Sequence, residues 1–383
     1  MRVAVLKEIE SGEKRVAIVP ETVKRLVKKG IEVCVESCAG EGSCFRDGEY
    51  EEAGATIEPS AEALLAATDV IIKVQRPTPA ELLKIREGTT IISLLYPLVN
   101  PDLVHTLATR KITAIAVDSI PRTTLAQMMD VLSSQATIAG YYAVIMAAYA
   151  LPKFFPMLMT AAGTIAPAKV LILGAGVAGL QAIATARRLG ASVEAFDTRK
   201  VVRQQVESLG ARFVEVDAAE DAQTATGYAK ELSEEYKRRQ TELIYRHIAK
   251  SDVCITTALI PGQRAPILIT EEMVQAMRPG SVIVDLAAEQ GGNCALTEPG
   301  NEVVKHGVTI IGRLNLPSRL AVHASQMYSR NMEKLLLHLM GDGGLKLNLQ
   351  EEITQGCVIT MGGEVVHPKV KELLARKGES HAS

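Results

Sequence analysis

The stretch that decides the fold of this chain reads KVLILGAGVAGLQAIA and occupies residues 169–184. A short, mostly apolar segment leads into Gly174, Gly176 and Gly179, and a second apolar segment of helical character follows. Glycine is needed where a backbone turns sharply or approaches another segment closely. The pattern therefore predicts a strand, a glycine turn and a helix, which together open a doubly wound α/β sheet.

The three glycines have separate expected tasks in such a unit. Gly174 permits the tight turn, Gly176 lets the backbone approach a pyrophosphate, and Gly179 lets helix and strand pack closely. Unpaired N–H groups at the helix start would face the phosphates. About 20 residues further on, Asp197 ends the next predicted strand, where an acid can bind ribose hydroxyls and repel a 2′-phosphate. We therefore predict NAD(H) as the ligand; Arg199 nearby keeps NADP(H) open, and a glycine turn without ligand is the third interpretation.

Working outward, strands alternate with amphipathic helices on both sides of this stretch, which predicts two α/β lobes with parallel sheets flanked by helices. In the first lobe, the predicted strands are residues 2–6, 31–35, 69–73, 90–94 and 113–117. In the second, Rossmann lobe, they are residues 169–173, 192–197, 212–216, 253–257, 281–285 and 308–312. Residues 20–30 begin with Pro and end with Gly, which is typical of a helix.

The end of the chain predicts a return to the first lobe. Residues 324–340 have a helical pattern, and Gly362-Gly363 within residues 357–367 predicts a hairpin, because Gly-Gly suits the tight turns that join antiparallel strands. We therefore expect a discontinuous first lobe, residues 1–125 with 325–383, into which the Rossmann lobe, residues 126–324, is inserted.

A long polar segment, residues 217–250, separates the third and fourth strands of the Rossmann lobe. A plain crossover needs only about 10–12 residues. The excess predicts a mobile flap around Gly227 and Tyr228, followed by a helix. A passive surface insertion is the alternative.

A second motif, PRTTLAQMMDVLSSQA, occupies residues 121–136, at the junction of the first and second predicted lobes. Arg122, Gln127, Asp130 and Ser133 fall within about three helical turns of one another. Clefts between lobes commonly hold cofactors, which favours a ligand role. Asp and Ser also suit an ordinary capped helix start, and that alternative stays open.

Composition excludes several classes of function. The 383-residue chain has a formal net charge of -2, no Trp and 4% aromatic residues, so no nucleic-acid partner is predicted. The N-terminus is charged too early for a signal peptide. The longest apolar run, residues 136–151, is shorter than the ~20 residues of a spanning helix and predicts a buried core helix. Any membrane-spanning segment would come from another chain.

No metal site is predicted from the seven histidines and six cysteines. Cys34, Cys38 and Cys44 cluster, but their spacing matches no common zinc pattern. We interpret the cysteines as reduced residues of a cytosolic protein, with a metal or redox role for this cluster as the alternative.

Taken together, the motifs resemble the NAD(H)-binding alpha subunit (domain I) of proton-translocating NAD(P) transhydrogenase, within the alanine dehydrogenase/transhydrogenase superfamily. The resemblance covers nearly the whole chain. Its most specific elements are the loop from Arg122 to Ser133 and the segment Gly227-Tyr-Ala-Lys. It also includes Lys7-Glu8, Arg15-Val-Ala, Lys73-Val-Gln-Arg-Pro77, Ala139-Gly-Tyr, Thr160-Ala-Ala-Gly163 and Thr256-Thr-Ala-Leu-Ile-Pro-Gly262.

The resemblance implies direct, Re/Si-specific hydride transfer from NADH to NADP+ held by a partner subunit, coupled to proton translocation by membrane subunits. It implies that Arg122, Asp130 and Ser133 hold the nicotinamide and its ribose, and that Gln127 reaches toward the partner's nucleotide. We expect a homodimer on the cytoplasmic face of the inner (plasma) membrane, with a separate membrane-spanning subunit and a separate NADP(H)-binding beta subunit. The complete set of expected NAD(H)-binding residues is Arg122, Thr123, Gln127, Asp130, Val131, Leu132, Ser133, Gly174, Gly176, Val177, Ala178, Gly179, Asp197, Thr198, Arg199, Gly227, Tyr228, Ala258 and Leu259.

Two other functions stay open. The same fold resembles alanine dehydrogenase and the saccharopine and lysine dehydrogenases, whose basic substrate cluster is similar to Arg15 and Lys73. Alanine dehydrogenase has a catalytic His in a segment that here, at residues 91–96, contains none, and its catalytic Asp corresponds to Glu289. Without that His, amino-acid oxidation lacks its usual proton acceptor near neutral pH. A non-catalytic NAD-binding or sensing protein is the third possibility.

Overall fold

The computed structural model describes residues 1–216, 234–260, 262–341 and 343–381, the side chains of 376–381 excepted. The chain divides into two compact units. Unit 1 combines Met1–Gln135 with Ser318–Ser383, and unit 2 is the continuous segment Ala136–Pro317. Unit 1 is therefore discontinuous in sequence, and unit 2 is inserted into it.

In chain order, the strands are β1 (Arg2–Val5), β2 (Glu32–Glu36), β3 (Thr56–Glu58), β4 (Val70–Ile72), β5 (Thr90–Ser93), β6 (Thr113–Ala116), β7 (Leu158–Thr160), β8 (Gly163–Ile165), β9 (Lys169–Leu173), β10 (Ser192–Phe196), β11 (Arg212–Val214), β12 (Val253–Thr256), β13 (Val282–Asp285), β14 (Glu302–Lys305), β15 (Val308–Ile311), β16 (Met340–Gly341), β17 (Gly344–Leu345), β18 (Val358–Met361) and β19 (Glu364–Val365). All strands predicted from the sequence are present, within a few residues.

The α-helices are α1 (Pro20–Val27), α2 (Asp47–Glu52), α3 (Ala61–Ala67), α4 (Pro79–Lys84), α5 (Pro101–Thr109), α6 (Val131–Ala150), α7 (Val177–Arg188), α8 (Arg203–Ser208), α9 (Glu234–Ile248), α10 (Glu271–Ala276), α11 (Ala321–Leu339), α12 (Glu352–Cys357) and α13 (Pro368–His381). Helix α1 begins at Pro20, which occupies the first helical turn, where its missing N–H costs no hydrogen bond.

The sheet of unit 1 has the strand order β19-β18-β6-β5-β4-β1-β2-β3. Strands β1 to β6 pair in parallel, whereas β18 runs antiparallel to β6. The hairpin of β18 and β19 turns at Gly362 and Gly363, both with positive φ. The end of the chain thus adds two strands to the sheet of unit 1.

The sheet of unit 2 has the order β11-β10-β9-β12-β13-β15-β14. Its parallel portion, from β11 to β15, has the strand order of a Rossmann fold. Only β14, which pairs with β15, is antiparallel within this described sheet. The α/β class with parallel sheets flanked by helices, predicted from the glycine stretch, is confirmed.

Both sheets are buried on their two faces. In β9, Val170 and Ile172 pack in one apolar core, while the alternate residues Leu171 and Leu173 pack in another. Strand β1 likewise divides its side chains between two cores of unit 1. This burial explains the nearly continuous apolar runs of the parallel strands.

The boundaries of the units differ from the predicted lobes. Residues 126–135, expected in the Rossmann lobe, lie in unit 1. Asn331 of α11 donates to the Met128 carbonyl at 2.8 Å, and Gln135 donates to the Ala324 carbonyl at 3.2 Å. These bonds tie the segment to the C-terminal portion of unit 1.

Residues 318–324, also expected in the Rossmann lobe, lie in unit 1 as well. Ser318 donates to the Gly12 carbonyl at 2.9 Å and accepts from the Lys14 N–H at 2.7 Å. The chain therefore joins unit 1 a few residues earlier than the helical pattern of α11 suggested.

Helix α6 is long and apolar enough to cross a membrane by length and composition alone. Eight of its twenty residues are nevertheless buried, and only Tyr141 and Tyr149 are exposed. Ala143, Val144 and Ala147 are fully buried in a core of unit 2. This packing matches the predicted core helix.

Candidate nucleotide-binding site

The glycine loop between β9 and α7 has the geometry that the sequence predicts. Gly174 has φ of +102°, and its N–H donates to the Phe196 carbonyl at 2.8 Å, which fixes the turn. A Cβ on Gly179 would lie 1.9 Å from the Gly174 carbonyl oxygen, far inside contact distance. The backbone of α7 therefore packs directly on the turn, and residue 179 has to be glycine.

The start of α7 is open to a ligand. A Cβ on Gly176 would have its nearest neighbour 4.0 Å away, so this glycine fills no packing role in unit 2. Gly176 is the N-cap residue and no side chain of the described residues caps the helix. Val177 is exposed and Ala178 half-buried. The N–H groups of this first turn can donate hydrogen bonds to an anion such as a pyrophosphate.

Asp197, directly after β10, joins the glycine loop to Arg199. Its Oδ2 accepts from the Ala175 N–H at 2.8 Å and from Arg199 Nη2 at 2.8 Å. Its Oδ1 accepts from the backbone N–H and from Nε of Arg199, at 2.8 and 2.9 Å. The hydrogen bond to Asp197 raises the pKa of Arg199, whose charge is thus fixed. Thr198 between them is half-buried.

A third segment follows β12. Thr257 donates to the Gly174 carbonyl at 3.1 Å, which places Ala258 and Leu259 next to the glycine loop. Asn293 exchanges two bonds with the backbone of Ala258, at 3.0 and 2.9 Å. Asn293 was not predicted from the sequence, although the pair Gly291-Gly292 directly before it marks the loop that follows the strand ending at Asp285.

Asp285, at the end of β13, fixes the loop that carries Asn293. The Asp285 carboxylate is buried and accepts from the N–H groups of Ala287, Asn293 and Cys294 at 2.8–3.0 Å. It also accepts from the hydroxyl groups of Thr256 and Thr297, at 2.9 and 2.6 Å. Because five donors already bind its oxygens, the role of Asp285 is to fix the backbone of this loop.

We expect Asp285→Ala to lower the free energy of unfolding of the protein by at least about 2 kcal/mol, because several buried donors lose their acceptor. Chemical denaturation followed by circular dichroism measures this loss. The control Glu207→Ala removes an exposed carboxylate paired with Arg203 and should cost under about 0.5 kcal/mol. Equal costs for the two variants would contradict the structural role of Asp285.

In unit 1, the loop from Arg122 to Ser133 leads into α6. Asp130 accepts from the Ser133 N–H at 2.9 Å through Oδ1 and from the Ser133 hydroxyl at 2.6 Å through Oδ2. This is the capped helix start that the sequence left open as an alternative. A cap and a ligand contact are compatible, because both side chains stay half-buried rather than enclosed.

The other residues of this loop differ in exposure. Arg122 and Gln127 are exposed, whereas Val131 is buried in the core of unit 1 and Leu132 packs against it. Thr123 accepts from the Ala126 N–H at 3.3 Å and so shapes the turn. Buried Val131 can offer a ligand its backbone only. Gly227 and Tyr228, the predicted flap residues, lie outside the described residues.

Arg15 and Lys73 are buried in unit 1, and carboxylates balance their charges. Arg15 binds both oxygens of Glu13 at 2.6 and 2.9 Å and donates to Gln135 at 3.0 Å. Burial alone would raise the pKa of Glu13, but its bonds with Arg15 lower it to about 2. Lys73 Nζ donates to Glu81. A substrate carboxylate would have to compete with these internal partners.

Glu8 lies beside this pair, with Oε2 3.9 Å from Lys73 Nζ. Its Oε1 accepts from the Val74 N–H at 2.6 Å, but Oε2 has no hydrogen-bond partner among the described residues. Burial raises the pKa of Glu8 to about 7, although the charge of Lys73 opposes the shift. The ionised form is therefore disfavoured in the fold.

The pKa of Glu8 in the fold exceeds the usual value of 4.5. Ionisation of Glu8 therefore lowers the free energy of unfolding. The full loss is present above about pH 7, and no loss is present at pH values well below 4.5. We expect the free energy of unfolding of Glu8→Gln, minus that of the wild type, to be roughly 1–3 kcal/mol larger at pH 8 than at pH 4. Denaturation at several pH values measures this. Glu52→Gln, at an exposed position, is the control; a difference for Glu8→Gln that does not change with pH would contradict the shift.

The six cysteines are free, and Cys34, Cys254, Cys294 and Cys357 are buried. Within the described ranges, no group of three or more His, Cys, Asp or Glu side chains is arranged to hold a metal ion.

Known proteins are similar to this chain in sequence and in fold. Residues 4–139 match the family model "Alanine dehydrogenase/PNT, N-terminal domain", and residues 143–368 match "Alanine dehydrogenase/PNT, C-terminal domain". A protein of Rhodospirillum rubrum that is named as the first portion of NAD(P) transhydrogenase subunit alpha is 51% identical over 377 residues, which cover 96% of this chain and 98% of the relative.

Two solved structures extend the similarity to the fold. Transhydrogenase from Sinorhizobium meliloti superimposes with a TM-score of 0.84 at 43% identity, covering 96% of this chain and 100% of the other. An L-alanine dehydrogenase has a TM-score of 0.83 at 28% identity, covering 98% and 99%. With both domain models matched in order along nearly its whole length, the chain belongs to the alanine dehydrogenase/PNT family.

Proposed function

We propose that this chain is the NAD(H)-binding subunit of a proton-translocating NAD(P) transhydrogenase and passes hydride from its NADH to NADP+ on a partner subunit. The observation that carries the proposal is the glycine loop at the open start of α7, with Asp197 beside it. The names of the similar proteins from Rhodospirillum rubrum and Sinorhizobium meliloti support the reaction class.

The nicotinamide supplies the reactivity, so the task of the protein is positioning and the exclusion of water. In unit 2, the N–H groups of Val177 and Ala178 would bind the pyrophosphate, which Gly176 allows to approach closely. Asp197, with Thr198 and Arg199, would contact the adenosine. Ala258 and Leu259 would border the same nucleotide, because Thr257 bonds to the glycine turn.

In unit 1, the loop from Arg122 to Ser133 would hold the nicotinamide end. Arg122, Asp130 and Ser133 would orient the ring and its ribose, with further contacts from Thr123, Val131 and Leu132. The Asp130–Ser133 hydrogen bonds support this role, since they fix both side chains before any ligand arrives. The exposed Gln127 would reach toward the nucleotide of the partner. By the resemblance to the family motif, Gly227 and Tyr228 complete the proposed set of nucleotide-binding residues.

The decisive experiment mixes this chain with an NADP-binding transhydrogenase subunit and follows hydride transfer from NADH to an NADP+ analogue. We expect transfer that requires both proteins. A rate no higher than background would refute the proposal.

Two controls separate the other functions. Alanine-dependent formation of NADH by the isolated chain would indicate a stand-alone amino-acid dehydrogenase, and we expect none with alanine, lysine or saccharopine. Tight NADH binding without transfer to any partner would indicate a sensing protein.

The assembly that we propose contains a membrane-spanning subunit, an NADP(H)-binding beta subunit and a second copy of this chain, at the cytoplasmic face of the inner membrane. Co-purification of the chain with solubilised membranes, followed by subunit counting in the isolated complex, tests this. Recovery of the chain only as a free monomer would contradict it.

A further inference from the structure

Arg199 and Asp197 form a two-pronged ion pair at the carboxyl end of β10. The Nε and Nη2 groups of Arg199 each donate to a different oxygen of the Asp197 carboxylate, at 2.9 and 2.8 Å. The side chains are 19% and 7% exposed, so the pair is shielded from water on most sides. A guanidinium in this geometry presents the donors that would also fit a phosphate group.

The pair lies where a dinucleotide would place its adenosine ribose. Strand β10 is parallel to β9, with Phe196 opposite Leu173, so Asp197 and Gly174 follow at the same edge of the sheet. Arg199 Nη2 is 4.0 Å from the point that a Cβ on Gly176 would occupy. In doubly wound folds an acid at this edge binds the ribose 2′-hydroxyl, whereas a nearby Arg accommodates a 2′-phosphate.

In this chain both the acid and the Arg are present, and the Asp197 carboxylate accepts from Nε and Nη2 of Arg199. We propose that Arg199 is a latent 2′-phosphate anchor, which Asp197 holds in an ion pair, so that one carboxylate sets the preference for NAD(H) over NADP(H). The inference rests on the proposed function, because it assumes that the adenosine of a dinucleotide binds at this edge. Asp197 acts twice: it repels a 2′-phosphate and it occupies the group that would bind one.

The test measures binding of NADH and NADPH by nucleotide fluorescence to the full chain and to three variants: Asp197→Asn, Arg199→Ala and the double variant. We expect Asp197→Asn to shift the ratio of the two dissociation constants toward NADPH by at least tenfold, through tighter NADPH binding. In the double variant that gain should vanish. The gain should also weaken with rising salt, as expected of a charge contact.

Asp197 also accepts from the Ala175 N–H, so Asp197→Asn could loosen the glycine loop. Asp197→Ser is a second way to remove the charge, and 2′,5′-ADP against 5′-AMP as competitors isolates the 2′-phosphate from the rest of the nucleotide. We expect both charge-removing variants to favour 2′,5′-ADP more than the wild type does.

Two results would overturn the inference. One is tighter NADPH binding that persists in the double variant, which lacks Arg199. The other is that neither charge-removing variant binds NADPH more tightly. If the wild type binds neither nucleotide, the proposed function fails first. If the wild type binds NADH normally and only the gain is missing, the inference alone fails.

Discussion

Gly179→Ala should destabilise unit 2 by more than about 3 kcal/mol and weaken NADH binding at least a hundredfold, at the upper end of what overpacking a core costs. The added methyl group would lie 1.9 Å from the Gly174 carbonyl oxygen. Relief would require α7 to move away from β9, and the helix is packed in the core of unit 2 through Ala182, Ile183 and Ala186. Thermal or chemical unfolding and NADH titration measure the two effects.

Gly176→Ala is the matched control, with the same change three residues away. Its methyl group would have no neighbour nearer than 4.0 Å, so the free energy of unfolding should stay within about 0.5 kcal/mol of the wild type. NADH binding should still weaken at least tenfold, because the methyl group would stand where the pyrophosphate approaches the backbone. Wild-type stability in the Gly179 variant would show that the loop geometry is wrong; undiminished NADH binding in the Gly176 variant would remove the pyrophosphate assignment.

Gln127→Asn should slow hydride transfer in the mixed assay by about a hundredfold while leaving the dissociation constant for NADH unchanged. The Gln127 side chain is exposed and makes no hydrogen bond to the described residues, so shortening it should not disturb the fold. Withdrawal of the amide by about one bond length displaces the contact with the partner's nucleotide, and misplacement of about 1 Å can cost 10²-fold in rate.

Stopped-flow transfer rates and equilibrium NADH titrations check this prediction. Gln204→Asn makes the same chemical change at an exposed position in unit 2 and should alter neither quantity. Normal transfer by the Gln127 variant would show that this residue does not act between the two nucleotides. Loss of NADH binding instead would assign Gln127 to the chain's own nucleotide.

Two of the strands that the sequence did not predict are edge strands of the two large sheets. These are β3 and β14, which have the sequences TIE and EVVK and lie at the end of their sheets. With one neighbour and an exposed side, such a strand carries polar residues and lacks the apolar run of a central parallel strand. The central strands were predictable for the opposite reason, since burial on both faces leaves a clear signal.

Within the candidate site, the sequence could predict what depends on a short piece of chain. The roles of Gly174 and Gly179 follow from one turn, and the Asp130–Ser133 bonds span three residues. The Asp197–Arg199 pair was not predictable as a bond, because the orientation of the Arg depends on the neighbouring glycine loop. Asn293 lies 35 residues from Ala258, and only the folded sheet brings these two together.

The split of unit 1 between the two ends of the chain has a consequence for synthesis on the ribosome. The N–H groups of Val16 and Val19 donate to Ser325 and Ser329 of α11, and Tyr328 donates to the carbonyl of Lys73. The two serine acceptors are translated some 300 residues after the N–H groups that need them. The inserted unit emerges as one uninterrupted segment, so it should become protease-resistant on stalled ribosomes while the N-terminal segment is still cleavable. Until α11 and the hairpin of β18 and β19 leave the exit tunnel, the nascent N-terminal segment would have an unpaired edge at β6.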